Sequence, residues 1–332
     1  MLIRQPLRFI NGAVSMSNLK SNKTRQYLNS MAFLLILLTT VACSLKQPPT
    51  KLPDTSIPST QVIPSATPDT SVTKRLYEEG LTLLESGDVD GAIKIFDQLV
   101  QEQPNNSLAY TQRGIAKTQK GDTEGALSDF NKALELEPQN FFALNSRGSL
   151  FVEEEKLDKA MADFTAAIEA NPQYPKAYVN RANIYAFKGD FEKALEDYNK
   201  ALELDPNDPT IYFNRASAYG DMGKFDKTID DYSKYIEMVP DDPEGYFNRA
   251  TAYAEMQEFD KALFDINKAI ELDPQNPQLY LLRGMIYGQK RLNDNAIADF
   301  RKVLELSQDE DLRAQATDLL QQLGVSVTPV AP

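Results

Sequence analysis

Residues 175–208, PKAYVNRANIYAFKGDFEKALEDYNKALELDPND, are followed by PTIYFNRASAYGDMGKFDKTIDDYSKYIEMVPDD over 209–242, and the second stretch repeats the first place for place. A proline keeps the same 34-residue period across the chain, at Pro104, Pro138, Pro172, Pro206, Pro240 and Pro274. A fixed period of this length signals stacked supersecondary units, none of which buries its apolar face alone. Seven repeats result, 73–106, 107–140, 141–174, 175–208, 209–242, 243–276 and 277–310, and the last has Gln308 in place of the proline.

Within each repeat the pattern is that of a helix, a turn and a second helix. Place 8 carries Gly80, Gly114, Gly148, Ala182, Ala216, Ala250 and Gly284, and place 20 carries alanine except at Thr228. Small residues at both places let two helices approach, while bulky residues at places 4, 11 and 24, such as Tyr178, Tyr185 and Tyr198, fill the space beside them. Place 18 is acidic in all seven repeats, from Asp90 to Asp294, which suits the positive end of a starting helix. Proline at the first place of repeats four to seven fits a helix start, and the proline at place 32 ends the second helix.

These residues closely resemble the tetratricopeptide repeat family, whose unit has this length and this order of bulky, small, aromatic, small, aromatic and proline positions. The resemblance covers Thr73 to Glu310, with Lys117, Thr228 and Gln308 as departures. It implies an all-α fold: a right-handed superhelical solenoid of seven helix-turn-helix repeats. Residues 311–324 read as one more amphipathic helix, a C-terminal capping helix of the kind such arrays need for solubility. Residues 325–332 read as a flexible tail.

The seven copies also correlate among themselves. Arginine holds place 7 in repeats two to seven (Arg113, Arg147, Arg181, Arg215, Arg249, Arg283), and aspartate holds place 23 of the same six (Asp129, Asp163, Asp197, Asp231, Asp265, Asp299). Repeat one has neither, with Glu79 and Ile95. The two places are equidistant from the turn, so an antiparallel helix pair brings them level, and an Arg–Asp pair within each repeat is predicted.

The N-terminal segment has a different chemistry. Met31–Ala42 is a 12-residue apolar run preceded by Lys20, Lys23 and Arg25 and followed by Cys43, the chain's one cysteine. A basic region, a short apolar core and a small residue at the cleavage point are the marks of an export signal over residues 1–42, for which Met16 would give a more typical start. Twelve residues are too few to span a bilayer, which takes about 20. Thr-Val-Ala-Cys resembles the lipobox of bacterial lipoproteins, which implies cleavage before Cys43 and acylation of its thiol. Residues 43–72 hold six prolines and many Ser and Thr, with no apolar periodicity, and read as a disordered tether. Extended, 30 such residues would reach on the order of 90 Å. The expected location is the cell envelope, with the repeats held outside the cytoplasm by a lipid in one of its membranes.

Composition narrows function. The chain of 332 residues has 35 basic and 48 acidic side chains, a net charge of -13, and no histidine. Loss of the segment before Cys43, which contains basic but no acidic residues, makes the mature surface more acidic still. Such a surface is a poor match for phosphate backbones, so no nucleic-acid partner is expected, and neutral or basic peptide segments of other proteins are favoured. The absence of histidine removes the usual general base and the Ser-His and Cys-His arrangements. With no glycine-rich phosphate loop and no metal-ligand spacing, no enzyme activity, cofactor or metal is expected.

Function then falls to the groove. The resemblance implies that places 2, 5, 6 and 9 of each first helix point inward. Place 6 reads Asn180, Asn214 and Asn248 in three successive repeats, place 5 adds Val179, Phe213, Phe247 and Leu281, and place 9 adds Asn183. An amide side chain donates and accepts, so a row of asparagines is suited to holding a peptide backbone, with apolar pockets beside it. The row is similar to the asparagine ladder of O-linked N-acetylglucosamine transferase. The dicarboxylate clamp of heat-shock co-chaperones is matched by Asn183 and Asn214 but not by Glu244 and Asn248, so an acidic C-terminal tail is not the expected ligand. The expectation is a membrane-tethered scaffold or adaptor in envelope assembly or complex formation; a cytoplasm-facing membrane-anchored assembly factor and an accessory subunit of an enzyme or transport complex remain open.

Overall fold

The computed structural model describes residues 70–326. The export signal, Cys43 and the tether up to residue 69, and the tail beyond residue 326, lie outside the described residues. Among those described, all regular structure is helical, in fifteen helices. They are α1 (Thr70–Glu85), α2 (Val89–Glu102), α3 (Ser107–Lys120), α4 (Thr123–Leu136), α5 (Phe141–Glu153), α6 (Leu157–Ala170), α7 (Pro175–Phe187), α8 (Phe191–Leu204), α9 (Pro209–Asp221), α10 (Phe225–Met238), α11 (Pro243–Glu255), α12 (Phe259–Leu272), α13 (Pro277–Gln289), α14 (Asn293–Leu306) and α15 (Glu310–Gln322). Odd and even helices up to α14 are the first and second helices of the seven repeats, and α15 closes the series. The chain falls into two compact units, one ending at Met256 and one starting at Gln257, so repeat six contributes α11 to the first and α12 to the second.

In the first unit each helix packs on the next, and the first helices of successive repeats also touch: α3 with α5, α5 with α7, α7 with α9. Local chemistry fixes where the helices start. The side chains of Asn106, Asn140, Asp208 and Asp242 accept from backbone N–H groups in the first turn of the helix that follows, as do Asp88, Asp122 and Asp190 on second helices. The acids at place 18 lie in the first turn of the second helix. Three of them also reach the following repeat: Lys120 pairs with Asp90 and Lys188 with Asp158, both at 2.8 Å, and Lys290 pairs with Asp260.

In the interior, places 8 and 24 vary together. Phe96, Phe130, Phe164 and Phe300 are fully buried. Each lies over a glycine, and a Cβ added to Gly80, Gly114, Gly148 or Gly284 would stand 2.6 to 2.7 Å from the ring. Where place 8 is alanine, place 24 is Tyr198, Tyr232 or Ile266 instead. The departure at Thr228 is absorbed locally: its hydroxyl donates to the Lys224 carbonyl at 3.2 Å, and the nearest glycine, Gly220, leaves it room. In the second unit α15 buries Ala316, Leu319 and Leu320, and Arg313 donates to the carbonyl of Ser307 at 2.9 Å, covering the free end of α14.

Place 15 is left-handed throughout the series. Gly87, Gly121, Gly189 and Gly223 hold it in four repeats, but Glu155, Gln257 and Arg291 hold it in the others, with φ of 59°, 61° and 61°. A side chain there opposes the backbone by about 1 to 2 kcal/mol. Glu155→Gly and Arg291→Gly should therefore raise stability by about 0.5 to 1 kcal/mol each, after the larger chain entropy of glycine is set against the relief. Gly121→Ala should lower it by a similar amount. Equilibrium urea unfolding followed by far-UV circular dichroism reads both signs, and a stabilising Gly121→Ala would contradict this account.

Candidate functional site: arginine clamps and the first-helix face

Five place-7 arginines are held by carboxylate geometry. Arg113, Arg147, Arg181, Arg215 and Arg283 donate through Nε and Nη2 to both carboxylate oxygens of Asp129, Asp163, Asp197, Asp231 and Asp299, at 2.6 to 2.9 Å. This fork-to-fork arrangement is the strongest form of the pair. The aspartates are buried and the arginines nearly so. The hydrogen bonds to Asp129, Asp197 and Asp299 hold the guanidinium pKa of Arg113, Arg181 and Arg283 above its ordinary value, against the opposing effect of burial. Arg249 and Asp265 of the sixth predicted pair fall in different compact units.

A third partner escaped the sequence reading. The remaining nitrogen, Nη1, donates to place 25 of the preceding repeat: Asp97 at 2.8 Å, Asn131 at 2.7 Å, Thr165 at 3.4 Å, Asn199 at 2.6 Å, Ser233 at 2.9 Å and Asn267 at 2.8 Å. One guanidinium thus joins three helices from two repeats. The signal was present in the sequence as a column of acceptors that ends at Arg301, in the one repeat with no place-7 arginine after it. Aromatic rings at places 4 and 11 complete the cage, as where Arg215 lies 5.9 Å from the Tyr212 ring centre and 5.8 Å from that of Tyr219. In repeat two, Lys117 replaces the place-11 ring and its ammonium stands 2.8 Å from Asp129, so the departure from pattern adds a second cation to the cluster.

The expected groove residues are less open than their sequence places implied. Asn180 is 5 % exposed and donates to Asn145 Oδ1 of the preceding repeat at 3.0 Å. Gln112, also at place 6, donates in the same way to the Tyr77 hydroxyl at 3.1 Å. Burial pushes the Tyr77 phenol up to about 12, with the Gln112 hydrogen bond acting against it. Asn183 accepts from the buried Tyr198 hydroxyl at 2.6 Å. Val179, Phe213 and Leu281 are buried, Phe213 with its ring centre 5.4 Å from that of Tyr232 and 5.0 Å from that of Tyr235. Asn214 is buried as well. The asparagine row is therefore largely a seam between first helices, because place 6 of one repeat faces place 5 of the one before. Asn248 and Phe247 keep partial exposure. On the first helices the large apolar side chain that projects furthest is one the sequence reading passed over, Phe187, 60 % exposed at place 13 of α7, while on the second helix α12 Phe264 is 73 % exposed. Among the described residues no cluster of His, Cys, Asp and Glu could hold a metal ion, and no helix is long and apolar enough to cross a membrane.

Tetratricopeptide repeat profiles match residues 77–141, 143–174, 164–196, 209–242, 243–276 and 277–310, and a further TPR repeat profile matches 182–223. Among solved structures, the chain is similar to a tetratricopeptide repeat protein from Parabacteroides merdae, at 24 % identity and a TM-score of 0.52 over 76 % of this chain and 98 % of that one. It is similar to YrrB, described as a TPR protein with an unusual peptide-binding site, at 20 % identity and a TM-score of 0.50 over 57 % of this chain and 97 % of that one. It is also similar to a chain of the APC/C hetero-tetramer Cut9-Hcn1, at 19 % identity and a TM-score of 0.59, over 78 % of this chain and 50 % of that one. At these identities the likeness is one of fold. No curated protein matches the chain.

Arg147→Ala strands a buried carboxylate and should lower stability by about 3 to 5 kcal/mol. Arg113→Ala should cost less, because Lys117 stays beside Asp129, and Lys117→Ala in that background should restore the full loss. Thermal and urea unfolding of the three variants would decide it; equal losses for Arg113→Ala and Arg147→Ala would show that Lys117 gives no support.

Proposed function

Because this chain belongs to the tetratricopeptide repeat family, whose members serve protein–protein interaction, we propose that it is a non-enzymatic scaffold that binds segments of partner proteins on its first-helix face. It does so while tethered to a membrane of the cell envelope through a lipid on Cys43. The observation that carries the binding reading is the contrast along the first helices. Arginines, aspartates and most groove asparagines are consumed by packing, whereas Phe187 stands 60 % exposed and Phe247 and Asn248 keep access to solvent. A large apolar side chain held in water by a rigid scaffold is the form that binding anchors take. The tethering reading rests on the basic region, the short apolar run and Ala42 before Cys43. More than one acyl chain gives the durable attachment that a single one does not. The acidic surface supports neutral or basic segments as partners, and the lack of histidine supports a role without catalysis.

A photo-crosslinking residue at position 187, and another at Glu196, which is exposed on the second helix α8, test the binding face in cells. Position 187 should give discrete protein adducts and position 196 none; equal adducts from both would remove the first-helix face from the account. In the same cells, Cys43→Ser should abolish incorporation of a labelled fatty acid and release the protein from the membrane fraction. Unchanged labelling would overturn the lipid tether while leaving the binding test intact.

A further inference from the structure

Four of the six first helices in the first compact unit end on a carboxylate at place 13: Glu85 closes α1, Glu153 closes α5, Asp221 closes α9 and Glu255 closes α11. The negative end of the helix dipole makes this an unfavourable site for an acid and a favourable one for a cation. Yet none of these four helices has a basic residue in its last turn. For Glu153 and Glu255, partial burial pushes the carboxyl above its usual range, with no cation acting against it. The fourth of the six first helices, α7, puts the exposed Phe187 at the same place, between Glu153 and Asp221 in the order of repeats.

A second observation comes from place 6, two helical turns earlier on the same stripe. There Gln112 and Asn214 are 1 % and 3 % exposed, and the amide oxygen of each is buried without a hydrogen-bond donor. The stripe is thus rich in acceptors. Cations near it are drawn off, since Arg113, Arg147, Arg181 and Arg215 are spent in the clamps and Lys74 lies 3.7 Å from Glu78. Unsatisfied groups and misplaced charges of this kind concentrate where a protein meets a ligand.

We propose that the first-helix face takes a cationic polypeptide segment, its lysine or arginine side chains set against the place-13 carboxylates Glu85, Glu153 and Glu255 and one aromatic or aliphatic side chain seated on Phe187. This rests on the segment-binding reading above and adds the chemistry of the occupant. Three fluorescein-labelled peptides of one design, with a central phenylalanine flanked by lysines, by glutamines or by glutamates, test it against the full chain in fluorescence anisotropy. The lysine peptide should bind tightest, weaken as salt rises and lose affinity about four-fold or more in the Glu153→Gln/Glu255→Gln variant, each neutralised carboxylate accounting for roughly two- to five-fold. Phe187→Ala should weaken the lysine and glutamine peptides alike. If the glutamine peptide binds as well as the lysine peptide, or the double variant binds the lysine peptide unchanged, the cationic occupant is overturned while segment binding stands. If no peptide binds and position 187 crosslinks nothing in cells, both fall.

Discussion

A carboxylate buried between helices demands a cation, and in this protein that demand is answered by the same guanidinium at successive turns of the array. The clamp couples two scales. Its Nε and Nη2 arms lock the two helices of one repeat through a buried aspartate, and its Nη1 arm fastens the pair to the second helix of the repeat before. Removing the arginine leaves a charge without water or counter-ion, whereas removing an exposed surface pair such as Lys132–Glu135 loses little. The place-15 turn, with three side chains in a backbone region that disfavours them, is tolerated because such fastenings over-determine the geometry around it.

Packing inside each repeat is governed by the same economy of shape. Phenylalanine at place 24 goes with glycine at place 8 in four repeats, and there the fully buried rings sit where a methyl group could not be added without displacement. Tyr235 and Gly245 make the equivalent match between repeats five and six, where a Cβ on the glycine would lie 2.8 Å from the tyrosine ring. Bulky and small positions are thus complementary pairs, which explains why a chain with repeated sequence still varies in correlated steps.

This order bears on function by what it leaves over. Once the clamp arginines and aspartates are engaged with each other, what the first-helix stripe of the first unit leaves over includes the amide oxygens of Gln112 and Asn214, the carboxyls of Glu153 and Glu255 and the exposed Phe187. In the proposed function the array holds these groups in place, and a complementary segment that relieves them supplies selectivity.

The sequence by itself determined the architecture: the 34-residue period, the small residues at places 8 and 20 and the paired Arg and Asp columns all follow from periodicity that needs no coordinates. It also displayed the acceptor column at place 25, although only the third arm of each guanidinium gives that column a meaning. Tertiary structure alone decided which polar residues are free. Asn180, Asn214 and Asn248 hold the same place in successive repeats, yet Asn180 is bonded to Asn145, Asn214 is buried with its amide oxygen lacking a donor, and Asn248 keeps partial exposure. The physical reason is that helical spacing fixes which stripe a side chain joins, whereas its burial depends on the residue one repeat away that it meets across the interface, 35 positions back in the chain.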